Sequence, residues 1–375
     1  MMTKIRFFAL VFGLLLSTIG YSQIDNSFFS RRDSSAYTST DKWQLQLDQL
    51  GFVRNSEYRT RIIPGKTLFG YQTEANVKYK INDYAYIKAG LWLKRDFGGE
   101  GFHQIDPLFS FHIKKKNTEF IFGNLLGTTD HNLVEPLLDP EKIITDRIEN
   151  GLQLIHEGKK WKLDFWIDWQ KMIYQNSPFQ EQFVAGYSSS LELLANENIA
   201  LIAFAQASAF HKGGEIDATL SRNVSMYNFN NGFKFEISPN VKAISLIELR
   251  ADFCLYEDES TFVEDTYLDG LGQLVSLRAV FDPFQLTLQY WDSHQFQSPE
   301  GDRLYHSVSR INPVLYNANY RKMLMARIAY EKDFGDQLSF LFRTQFAHDL
   351  KVQSQDVIME LYLRWKFKTS LNGSA

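Results

Sequence analysis

The stretch Val357-Ile-Met-Glu-Leu-Tyr-Leu-Arg-Trp-Lys-Phe367 decides the fold. Val357, Met359, Leu361, Leu363, Trp365 and Phe367 share one face, while Glu360, Arg364 and Lys366 share the other. Side chains alternate across a β-strand with a period of two, so this segment is a strand with one greasy and one wet side. Trp161-Lys-Leu-Asp-Phe-Trp-Ile-Asp-Trp169 repeats the pattern with Lys162, Asp164 and Asp168 on the wet side, and residues 337–346 repeat it again. Carried along the chain, the pattern predicts sixteen strands between residues 43 and 369, with fourteen or eighteen as the alternatives.

The connectors alternate in length. Seven short links (81–83, 115–117, 157–160, 195–198, 238–240, 282–283 and 334–336) carry Asn, Asp, Gly, Lys and Pro, the chemistry of tight turns. Longer polar links lie between them, and 126–149 and 295–319 are the longest. A barrel crossing an outer membrane has just such unequal rims, with short periplasmic turns, longer external loops and an even strand number. The predicted class is therefore all-β, a transmembrane antiparallel up-and-down β-barrel. A soluble sandwich or propeller would also alternate. Charged faces on nearly every segment suit a watery lumen better than the outside of a soluble sheet. Aromatics near the short turns (Trp43, Tyr79, Tyr84, Trp161, Phe284, Tyr330) suit an interfacial girdle. Propeller blades would need a repeat of about 40 residues, which is absent.

Length and composition narrow the field further. A chain of 375 residues has room for one large β domain, and a net charge of −4 with no basic block gives no reason to invoke nucleic acid. The single Cys254 excludes an intrachain disulfide and a CxxC zinc site. Lys4 and Arg6 precede the apolar run Phe7 to Leu16, and Gly20 and Ser22 fit the −3 and −1 positions, so residues 1–22 read as a signal peptide. Residues 23–42 then form a periplasmic N-terminal segment, 43–369 the barrel and 370–375 a tail. The ending Tyr-Ser-Gln resembles secretory signals of Bacteroidota, and the location expected is the outer membrane of a Gram-negative cell.

Residues 357–367 resemble the closing strand that outer-membrane barrels offer to the barrel assembly machinery. Nearly all of the mature chain resembles, at the level of pattern, the sixteen-stranded porin class. The resemblance implies a passive channel for small hydrophilic solutes. Outer-membrane lipid and the assembly machinery are the other partners, and a homotrimer or a capping partner protein is left open. In such porins the third external loop folds into the lumen. Here that loop is 126–149, and Asp130, His131, Glu135, Asp139 and Glu141 are its candidate constriction residues. A solvated loop with a helical turn from Pro140 to Arg147 is the alternative.

Strand phase turns Lys88, Lys94, Asp164, Asp168, Glu248, Arg250, Arg278, Arg321, Arg327, Arg343, Glu360 and Arg364 toward the lumen. They would line a pore as a selecting field or neutralise one another in pairs. Trp92, Trp166, Trp291 and Tyr362 share that phase and would fill space or form a platform for sugars. A plugged barrel serving surface binding, or assembly of a secretion or polysaccharide system, is the second reading. His112, His156, His211, His294, His306 and His348 are scattered and nothing marks a nucleophilic serine. The expectation is no enzyme, no cofactor and no metal site.

Overall fold

The computed structural model describes residues 26–371 except 34, 220, 222, 240, 242, 261–266, 310, 312 and 315. The signal-peptide reading lies outside the described residues. The strands are β1 (Trp43–Tyr58), β2 (Lys66–Asn82), β3 (Ala85–Asp96), β4 (Gln104–Lys115), β5 (Thr118–Asn124), β6 (Asn150–Glu157), β7 (Trp161–Lys171) and β8 (Glu181–Ala195). They continue as β9 (Ile199–Gly213), β10 (Val224–Ile237), β11 (Leu246–Asp258), β12 (Asp269–Phe281), β13 (Phe284–His294), β14 (Tyr320–Phe334), β15 (Leu338–Asp349) and β16 (Ser354–Ser370). Each pairs antiparallel with its sequence neighbours, and β1 pairs with β16 to close the barrel.

The sixteen predicted strands are all present. The largest shifts of a boundary are at the end of β1, expected at residue 53 but reaching Tyr58, and at the start of β11, expected at residue 241 but beginning at Leu246. Before β11 the Val241 N–H donates to the Pro239 carbonyl at 2.7 Å and Val241 bridges to Ile244, so the ladder starts only after them. The register fixes the faces. Phe69, Leu91, Phe109, Phe165, Leu288, Leu324, Phe346 and Leu363 point outward and stay exposed, an apolar belt that only lipid would cover.

The interior departs from the expectation of an open channel. Among the described residues, three segments enter it. Residues 26–33 and 35–42, expected in the periplasm, run into the mouth at the short-turn rim, where Phe28 and Phe29 pack with Leu50, Phe52, Leu341 and Tyr362. Loop 125–149 folds inward and adds Ile143 and Ile144 to that cluster. Its Leu133, Val134 and Leu137 join a second cluster with Trp291, Phe296, Leu304, Tyr305 and Met323, to which loop 295–319 contributes. Each fully buried side chain of this size contributes about 1.5–3 kcal/mol, so the lumen is a packed core where a porin keeps water.

The two long loops also lock to each other. The Asp139 N–H donates to the Glu300 carbonyl at 2.8 Å, and the Asp302 N–H donates to the Glu135 carbonyl at 2.9 Å. Gly301 lies between, and a Cβ there would sit 2.0 Å from the Pro136 carbonyl oxygen. A side chain at 301 would force the loops apart.

Candidate active site

Most of the lumen-facing charges are paired. Arg343 meets Glu360 at 2.7 Å, Arg278 meets Glu248 at 2.9 Å, and Arg250 meets Asp252 at 2.8 Å. Arg321 meets Asp349 at 3.1 Å, Lys94 lies 3.7 Å from Asp96, and Arg364 grips Asp48 and the Phe28 carbonyl. Asp168 accepts the Asn150 N–H at 2.8 Å. These groups bind the wall to itself and to the plug. A separate cavity of about 600 Å³ opens toward the short-turn rim past Lys160 and Glu236 and is walled by Asp164, Ser188 and Arg250.

The candidate constriction residues hold the plug in place. Asp130 accepts the Ser30 hydroxyl at 2.6 Å and the Arg31 N–H at 2.8 Å. Glu135 meets Arg327 at 3.2 Å and accepts the Tyr305 hydroxyl at 2.7 Å. Glu141 pairs with Lys66 and lies 3.4 Å from Arg54. The carboxylate of Asp139 accepts the Glu141 N–H at 2.8 Å, and burial, reinforced by the charge of Glu141, pushes its pKa up to about 6.

His131 lies flat on Trp166, ring centroids 3.6 Å apart, with Asp164 at 2.8 Å on Nδ1 and Glu149 at 2.7 Å on Nε2. Burial opposes its charge, but the two carboxylates outweigh burial and raise its pKa to about 10. Both ring nitrogens are donors, so this imidazolium has no lone pair with which to act as a base. A group whose native pKa exceeds its unfolded value near 6.5 stabilises the fold fully below that value and loses the contribution as pH passes the native value. Hydrogen exchange of a peptide covering 127–136, corrected for intrinsic rates, is therefore expected to be flat below about pH 6.5, to rise progressively from there, and to level off above about 10. A rise already complete at neutral pH would contradict the doubly paired cation.

His112 is different. Its Nδ1 lies 3.0 Å from a Glu119 oxygen and its Nε2 lies 3.0 Å from the Ser110 hydroxyl. A carboxylate only accepts, so the Nδ1–H donates to Glu119 and leaves Nε2 free to accept from the Ser110 hydroxyl. The local fold makes this arrangement. Ser110 and His112 are successive inward positions of β4, and Glu119 returns on β5 opposite Lys114. Tyr86 stacks on the imidazole at 4.3 Å, and the Tyr37 hydroxyl donates to Glu119 at 2.7 Å. Lys88 faces Ser110 directly across the β3–β4 ladder. A small cavity meets the serine, with Arg31, Lys88, Leu108, Leu125 and Leu126 around it.

Serine, base and orienting carboxylate within hydrogen-bond reach are the parts of a nucleophilic acyl-transfer site. Other histidines of the described residues offer less. His211 has Ser225 at 3.0 Å, and His156 has Thr118 at 2.9 Å, without a carboxylate on either ring. Among the described residues no group of three or more His, Cys, Asp or Glu is placed to hold a metal ion.

A family model described as Lipid A 3'-O-deacylase-type matches residues 33–373. Among solved structures, a loop-deletion form of OmpT, an outer membrane protein of Vibrio cholerae, aligns with a TM-score of 0.53 at 11% identity. The alignment covers 87% of this chain and 100% of that one. OprD of Pseudomonas aeruginosa aligns with a TM-score of 0.52 at 10% identity, covering 88% of this chain and 94% of that one. At such identities these two show the fold alone. No curated protein matches by sequence. The chain is an outer-membrane β-barrel. The family match also overturns the expectation of a non-enzymatic barrel, because the family is named for a deacylase. That expectation failed because scattered histidines were judged by spacing along the chain. Ser110 and Glu119 were missed, although a Ser-x-His on one strand face followed by a hairpin and an acid was there to be found.

Proposed function

The chain belongs to the lipid A 3'-O-deacylase-type family, and from that premise we propose that it is a barrel-embedded ester hydrolase acting on acylated lipid of the outer membrane. The observation that carries the proposal is the Ser110, His112 and Glu119 relay, two hydrogen bonds of 3.0 Å inside the barrel wall. Ser110 Oγ attacks the ester carbonyl while its proton passes to His112 Nε2. The acyl–oxygen bond breaks, and His112 returns that proton to the departing alkoxide. Water, deprotonated in turn by His112, then frees the acid from the serine. Glu119 holds the ring in its tautomer and stabilises the imidazolium. Lys88, opposite Ser110, places a positive charge beside the developing oxyanion. The family description points to lipid A and its 3'-O-linked acyl chain as the substrate. The packed lumen and the paired charges weigh against passive diffusion as the main activity.

A fluorophosphonate probe tests the site chemically. The folded barrel in detergent is expected to take one phosphonyl group on Ser110, found by peptide mass, and the H112Q variant is expected to take none. Labelling elsewhere, or equal labelling of the variant, would remove Ser110 from the role.

A further inference from the structure

The wall of the barrel is not of even height. β5 has seven residues and β6 eight, whereas β8 and β9 have fifteen each. At about 3.3 Å per residue and a tilt of about 40°, β5 climbs only about 18 Å, short of an apolar belt of about 25 Å. A membrane-spanning strand usually needs about 9–11 residues. Above Ser110, residues 104–109 of β4 pair with β3 alone, and on the far side residues 169–171 of β7 pair with β8 alone. The gap lies toward the long loops, in the outer half of the membrane.

The sequence accommodates this free edge. The Phe109 N–H points into the gap, where the Asn124 side chain receives it. N–H groups two residues apart in a strand point the same way, so position 107 also faces the gap, and it is Pro107, which has no N–H to leave unpaired. Asn124 then donates to the Asn150 side chain at 2.7 Å, closing the top of the β5–β6 ladder. Outside the gap stand the exposed Ile105, Phe109 and Phe122, and inside it lie the buried Leu108 and Leu125 beside the cavity that meets Ser110. Apolar side chains thus stand on both sides of the low wall, and Leu108, Leu125 and Leu126 border the cavity at the serine together with the polar Arg31, Lys88 and Asn124.

We propose that the gap above β5 and β6 is a lateral port through which the acyl chain of an outer-leaflet lipid passes from the membrane toward Ser110. The inference rests on the hydrolase reading only for what the chain meets inside. It also accounts for how a serine that is 4% exposed, under the N-terminal segment, is reached without passage through the plugged lumen.

The test uses the full-length protein in phosphatidylethanolamine vesicles holding a trace of phospholipid with a diazirine near the end of its acyl chain. After illumination, peptide mapping is expected to find adducts on the inward residues Leu108, Leu125 or Leu126 as well as on outward Ile105 and Phe109. None is expected on Leu274 and Met323, buried on the opposite inner wall. Adducts confined to outward residues, or equal on both inner walls, would overturn the port. The S110A variant separates the two claims. Inward adducts retained in a variant that hydrolyses nothing support the port whatever the fate of the relay. Wild-type protein that hydrolyses soluble p-nitrophenyl acetate yet shows only outward adducts removes the port and leaves the relay.

Discussion

Replacing Ser110 with alanine is expected to lower the rate of ester release by a factor on the order of 10⁴, the loss that follows when a member of a nucleophilic relay is removed. The barrel itself should be unaffected. Ser110 is small and inward-facing, and its hydroxyl bonds His112 at 3.0 Å. The alanine leaves that nitrogen without its partner while Glu119 still holds the other side of the ring. A heat-modifiable barrel with wild-type mobility and lost activity separates chemistry from folding. Retained activity within a few-fold would mean that a different group attacks the ester.

The second large effect concerns the plug. Arg321 is fully buried at the outer end of β14 and reaches three acceptors: Asp349 at 3.1 Å, the His306 carbonyl at 2.8 Å and the Leu304 carbonyl. Asp349 in turn accepts the Tyr316 hydroxyl at 2.8 Å, so the Arg321–Asp349 pair seats the middle and the C-terminal end of loop 295–319 against the wall. Removing one partner of a buried pair leaves the other charge uncompensated and costs about 3–5 kcal/mol. Arg321→Ala is expected to lower the urea midpoint of the detergent-folded barrel by that amount of free energy and to expose the loop to protease. Pairing Arg321→Met with Asp349→Leu should recover much of the loss, because no charge is then left stranded. An unchanged midpoint in Arg321→Ala would show that the loop is seated by its apolar contacts alone.

How much of this was legible follows from the range over which each feature is determined. Lipid on one side and protein interior on the other impose a period of two on every strand. Trp161 to Trp169 and Val357 to Phe367 therefore declared their faces directly. Tight turns announce themselves through Asn, Asp, Gly and Pro, which is why all sixteen strands could be counted. The plug depends on pairings no local pattern contains. Glu135 finds Arg327 across 192 residues, and Asp130 finds Ser30 across 100. The wet faces suggested a watery lumen because their future partners, carried by loops 125–149 and 295–319, could not be seen from the strands. The relay lies between these extremes. Ser110 and His112 share a face by alternation alone, but placing Glu119 beside them needs the register that sets it opposite Lys114. A reading that stopped at faces saw only scattered histidines, and so expected a channel where the family is named for a deacylase.

Cleavage of a membrane-lipid ester at Ser110 is what sets this barrel apart from a passive channel in the function proposed here. The most direct measurement is the mass of purified lipid A after incubation with the folded protein in mixed micelles, with the Ser110→Ala variant alongside. The wild type is expected to remove one ester-linked acyl chain and release the matching free acid, and the variant to leave lipid A intact. Lipid A unchanged by a fully folded wild-type barrel, or shortened equally by the variant, would contradict cleavage at Ser110.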